Sequence, residues 1–217
     1  PHDQGDADAD EALGDFRRFP QWMWRNADVL DFVGWLRSHN ESVAESHQVG
    51  FYGLDVYSMR ASMEAVLAFL RTVDQDAALR AARRYACFDH FGGDPRAYGY
   101  AATLGLTASC EDAVVRQLVE LRVAAARHAS RDARLAQDDA FEAERNASVV
   151  RSAEQYYRAM FRSRVESWNL RDRHMVETLE ALERFIGDAA HPARIVVWAH
   201  NSHLGDARAT EMGEAGE

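Results

Sequence analysis

Apolar side chains recur at helical spacing through most of the chain and gather into β-rich runs at only two places. From Asn26, the residues Val29, Phe32, Val33 and Leu36 fall three and four apart before the turn-prone Ser38-His39-Asn40, which predicts a helix packed on a larger body. Met59, Met63, Val66, Leu67 and Leu70 form a second stripe, and Asp74 is positioned to cap a third helix carrying Ala77 to Tyr85. Ser109-Cys110-Glu111-Asp112 has the order of a capping box ahead of a helix with Val114, Val115, Leu118 and Leu121. A longer helix is predicted with Val149, Val150, Ala153, Tyr156, Tyr157, Met160 and Phe161 on one face. After a break at Ser167-Trp168-Asn169, a last helix carries Met175, Leu179, Leu182 and Ile186. Phe88 to Gly105 is rich in Gly, Asp and aromatics and lacks a period, so it predicts a long loop, which in a compact domain is usually functional or a lid.

The two β-rich runs are VGFYGLDVY at Val49 to Tyr57 and RIVVWAHNSH at Arg194 to His203. Both are too apolar for a half-exposed hairpin, and each is flanked by predicted helices, so the expected fold is α/β: helix-rich, with a central, mostly parallel sheet flanked by helices. Two strands do not make such a sheet. With Pro1 in place of an initiator Met and Glu217 inside a polar stretch, residues 1–217 are expected to be the central and late part of one domain whose remaining strands lie outside them. Residues 1–15, dense in Asp and Glu with Gly and Ala, predict an acidic linker or loop.

Composition narrows the partners. Thirty-five acidic side chains against 25 Lys and Arg give a formal net charge of −10, which argues against a nucleic-acid partner, because the phosphate backbone calls for a dense basic face. No apolar run approaches the roughly 20 residues of a membrane span, and no leader pattern opens the chain, so no membrane partner is expected. The two cysteines, Cys87 and Cys110, fall in different predicted elements without metal-site spacing and are expected to be reduced thiols of a cytoplasmic protein.

Candidate chemistry collects at the second β-rich run. In an extended strand Val196, Trp198 and His200 share one face, and Asn201-Ser202 favour a turn that brings His203 to the same cavity. Ligands of α/β sheets bind at the carboxyl ends of strands, where these histidines lie, although a lone strand-end histidine is as readily a core residue bonded to a carbonyl. A second constellation, Ser167 to Met175, offers Arg171 and Asp172 to orient an imidazole or bind polar substrate groups, while Asn169 or Asp172 equally suits a helix cap. A third is Gly53-Leu54-Asp55-Val56-Tyr57-Ser58, with Asp55 either at a ligand site or capping the Met59 helix. No Gly-x-Ser-x-Gly elbow, His-Glu-x-x-His or phosphate loop occurs, which leaves a histidine pocket that activates water or holds a metal.

The strings FPQWMWRN (19–26), GFYGLDVYS (50–58), YACFDHFG (85–92), NASVVRSAEQYYRAMF (146–161), SWNLRDRHM (167–175) and VWAHNSHLGDARAT (197–210) together resemble the erythromycin esterase family, co-linearly over essentially the whole chain. The resemblance implies an α/β fold and a hydrolase that opens a macrolide lactone by histidine-activated water, without metal or cofactor. It implies that the activating histidine belongs to a Gly-Glu-x-x-His-Gly motif, which nothing in residues 1–217 matches. What carries over is the Ala-His-Asn-x-His motif. It makes His200 and His203 the expected catalytic residues and Asn201 an expected substrate-binding residue; the two other constellations add Asp55, Tyr57, Trp168, Asn169, Arg171 and Asp172 as expected substrate-binding residues. The expected partner is a small-molecule ester such as a macrolide. The alternatives are a metal- or haem-binding module, or a catalytically inert member of the family.

Overall fold

The computed structural model of the protein describes residues 6–14, 21–129, 134–188, 190–209 and 211. Among them there are helices and 3-10 turns and no strand, so the expected α/β fold with a parallel sheet is overturned. The chain divides into two compact units, one up to Gly53 and one from Leu54 onward.

The first unit holds α1 (Ala9–Gly14), α2 (Gln21–Trp24) and α3 (Ala27–Ser42). α1 falls within the expected acidic linker: Asp8 Oδ1 accepts the N–H groups of Asp10 and Glu11, each at 3.0 Å, and Arg37 reaches the Asp6 carbonyl at 3.0 Å. Asn26 caps α3 by accepting from the Val29 N–H at 2.9 Å, and its amide donates to the carbonyls of Trp22 and Met23, tying α2 to α3. The strand expected from Val49 does not form. The Asn40 side chain takes both backbone groups of Val49, accepting its N–H at 2.8 Å and donating to its carbonyl at 3.0 Å, so a side-chain amide occupies the place of a ladder partner.

The second unit is a helical bundle of α4 (Met59–Val73), α5 (Gln75–Tyr85), α6 (Pro95–Thr103), α7 (Glu111–Ala129), α8 (Arg134–Ala159) and α9 (Arg164–Ile186). α8 is its centre, packing against α4, α6, α7 and α9. Val150, Ala153 and Tyr157 of α8 are fully buried against Val66 and Leu70 of α4 and Val114, Leu118 and Leu121 of α7, so the apolar stripes of three predicted helices meet in one core. The long loop expected from Phe88 to Gly105 is instead a 3-10 turn, Ala86–Phe91, followed by α6. Asp94 caps α6 through the Arg96 N–H at 2.9 Å, Pro95 occupies its first turn, and Phe88 and Tyr98 are core residues. A Cβ on Gly99 would collide with the Tyr157 carbonyl, so this glycine lets α6 lie directly on α8.

Two more expectations fail here. α9 runs unbroken through Ser167-Trp168-Asn169, because Ser163 is its N-cap and accepts from the Glu166 N–H at 3.2 Å. Cys87 and Cys110 are disulfide-bonded rather than reduced: the turn after α5 and the residue before α7 come to a Cα–Cα separation of 6.1 Å, within bonding range. No helix among the described residues is long and apolar enough to cross a membrane. The run from Arg194, expected as a buried strand, is irregular and largely exposed, with Val196 95% and Trp198 52% accessible.

Candidate functional site

The site grows from one face of α9. Trp168, Arg171 and Asp172 stand three and four residues apart, so their side chains project from adjacent turns on the same side. Asp55, in the segment leading to α4, meets them: Arg171 donates to it in a fork, Nε to Oδ1 at 2.9 Å and Nη2 to Oδ2 at 2.6 Å. Asp55 therefore does not cap α4, whose N-cap position is Ser58. The Arg171 guanidinium carbon lies 4.7 Å from the Tyr57 ring centroid and 5.8 Å from that of Trp168, so the cation is held between two aromatic faces. Its side chain is only 17% exposed. Burial works against its charge, but the hydrogen bonds and charge of Asp55 outweigh burial and hold the guanidinium above its usual range.

Tyr57 is fixed in turn by Tyr156 of α8, with the two hydroxyls 3.2 Å apart and the rings edge to face at 5.8 Å. Burial, reinforced by the Tyr57 contact, pushes the Tyr156 phenol upward, so it stays protonated.

The exposed segment after α9 returns to this face at the 3-10 turn Asn201–His203. The His203 ring stacks on Trp168 with centroids 4.9 Å apart and planes 12° from parallel, and its Nδ1 lies 2.7 Å from Asp172 Oδ1. The His203 side chain is 9% exposed. His200 differs. It is exposed and acts as the N-cap of the turn, its Nδ1 accepting the Ser202 N–H at 3.2 Å and lying 2.9 Å from Ser202 Oγ.

Residues 2–217 match the family model described as Erythromycin esterase. The chain belongs to the erythromycin esterase family. No solved structure matches it. For an erythromycin esterase family member, the arrangement joins six of the nine residues expected from sequence: Asp55, Tyr57, Trp168, Arg171, Asp172 and His203. His200 stands beside them on the same turn, while Asn169 and Asn201 are not drawn in by any hydrogen bond or ring contact among the described residues. Sequence reasoning missed Tyr156, which was read only as part of an apolar stripe; its hydroxyl on that stripe was the available signal. Among the described residues no group of three or more His, Cys, Asp or Glu side chains gathers to hold a metal ion.

Proposed function

We propose that the protein hydrolyses a small-molecule ester, with macrolide lactones as the substrate class, and that Trp168, Asp172, His200 and His203 form a wall of its active site. The observation that carries this reading is the Asp172–His203 pair at 2.7 Å. A carboxylate only accepts, so His203 Nδ1 holds the proton and Nε2 keeps its lone pair, with the ring plane set by the Trp168 stack. His200 takes the opposite tautomer, because its Nδ1 accepts from the Ser202 N–H and its Nε2 therefore carries hydrogen.

The two rings then divide the work. His203 Nε2 takes one proton of the attacking water, whose oxygen keeps the other. The water oxygen bonds to the ester carbon, and His200 Nε2–H donates to the carbonyl oxygen as it gains charge. Collapse breaks the C–O bond, and the departing alkoxide takes back the proton. Arg171, held by Asp55 and flanked by Tyr57 and Trp168, offers a fixed cationic face to polar substrate groups.

Assayed on a p-nitrophenyl ester and on erythromycin, His203→Ala is expected to lower kcat/KM about 100-fold and Asp172→Asn about 10-fold, within the range of proton-handling side chains. Circular dichroism checks that both variants fold. Wild-type rates in both would sink the reading.

A further inference from the structure

α9 has a second polar face. Arg173, His174 and Glu177 follow one another at helical spacing on a different side from Trp168, Arg171 and Asp172, and they face Arg151, Ser152 and Gln155 of α8 across a polar cleft of about 150 Å³. At roughly 30 Å³ per water, that volume takes a group the size of an acetate or a phosphate.

Two buried nitrogen atoms in this lining have no hydrogen-bonding partner: Nδ1 of His174 and Nε of Arg151. His174 is 2% exposed and lines the cleft, with its Nε2 only loosely placed 3.5 Å from Thr178 Oγ1. Arg151 uses Nη2 on Glu177 Oε2 at 3.1 Å, which neutralises the one carboxylate of the lining and leaves Nε behind. Buried polar atoms are nearly always satisfied in native proteins, so two orphans in one cleft ask for a shared partner. With two guanidinium groups against one carboxylate, the lining carries a formal charge of +1 in a chain whose net charge is −10. Arginine nitrogen atoms only donate, and a neutral imidazole can turn its N–H to Nδ1, so the group that fits is rich in lone pairs and negatively charged.

We propose that this cleft between α8 and α9 is a binding site for a small oxyanion, a carboxylate or phosphate group, held by Arg151, Arg173 and His174. The proposal does not depend on the esterase reading, which concerns another face of α9.

The test uses the full chain with sodium phosphate, sodium acetate and, at matched ionic strength, sodium chloride. Calorimetry is expected to show saturable binding of phosphate or acetate but not chloride, with the His174 Nδ1 nitrogen resonance moving along the same titration. Saturation by phosphate alone assigns a phosphoryl ligand, and saturation by acetate alone assigns a carboxylate. Arg173→Gln, at an exposed position that should not disturb folding, is expected to weaken binding about 10-fold or more. A response equal for chloride, a stationary His174 signal, or unchanged affinity in Arg173→Gln would overturn the proposal.

Discussion

At the scale of single residues, what one imidazole nitrogen touches decides what the other can do. His200 and His203 are three apart in sequence, yet one leans on Ser202 and the other on Asp172, which leaves Nε2 open on both rings but in opposite tautomers. Alternation along a strand could bring them to one place but could not assign the tautomers, because Asp172 lies 31 residues away. His174 shows a different control. Burial, followed by the Arg151 charge, pushes its imidazole from the ordinary 6.5 down to about 4. Above pH 6.5 it is neutral in both folded and unfolded chains and leaves stability unchanged. As pH falls from about 6.5 to 4 the unfolded chain takes up a proton that the folded one refuses, and stability drops. The shift corresponds to about 3 kcal/mol at its full extent. Urea unfolding at pH 7 and pH 4.5 should therefore show a smaller acid-induced loss in His174→Asn than in the wild type, by about 2 kcal/mol; equal losses would show that His174 is not buried neutral.

At the scale of elements, α6 is held to its neighbours by a buried polar hub. Tyr98 donates to Glu154 Oε1 at 2.5 Å and accepts the Cys110 N–H at 2.8 Å, while Arg158 binds both oxygens of the fully buried Glu154 and also pairs with Glu111 at 2.8 Å. One side chain of α6 thus joins the start of α7 to the C-terminal part of α8. Tyr98→Phe leaves the buried Cys110 N–H without its acceptor and removes one of the three donors to Glu154 Oε1, and is expected to cost about 1–3 kcal/mol by chemical denaturation. Gly99→Ala acts on the same contact by sterics, forcing α6 off the Tyr157 backbone; a loss of about 1–3 kcal/mol in the same measurement is expected. α6 gives no helical period because the residue that touches α8 most closely is a glycine, so that contact contributes no apolar side chain to the pattern. Its Asp94-Pro95 start was legible and was passed over.

At the scale of the whole molecule, the disulfide ties the turn after α5 to the start of α7 across a sequence separation of 23. A closed loop of this size removes about 3 kcal/mol of unfolded-chain entropy. Thiol titration of the denatured, unreduced protein should find no free thiol, and Cys87→Ala/Cys110→Ala should unfold at lower denaturant by about that amount; two titratable thiols would contradict the bridge. By itself the sequence determined the helices with long apolar stripes, their burial against one another and the family, and it singled out six residues whose side chains the structure brings together. These follow from periodicity and from residue types strung along the chain, which are local properties. Only the tertiary structure decided that the two β-rich runs are not strands, that the cysteines pair, that Asp172 holds His203, and that α9 presents a second, basic cleft. A strand needs a partner for its backbone groups, a disulfide needs two sulfurs within reach, and a tautomer needs a neighbour. Each depends on residues distant in sequence, and no pattern along the chain specifies which of them arrive.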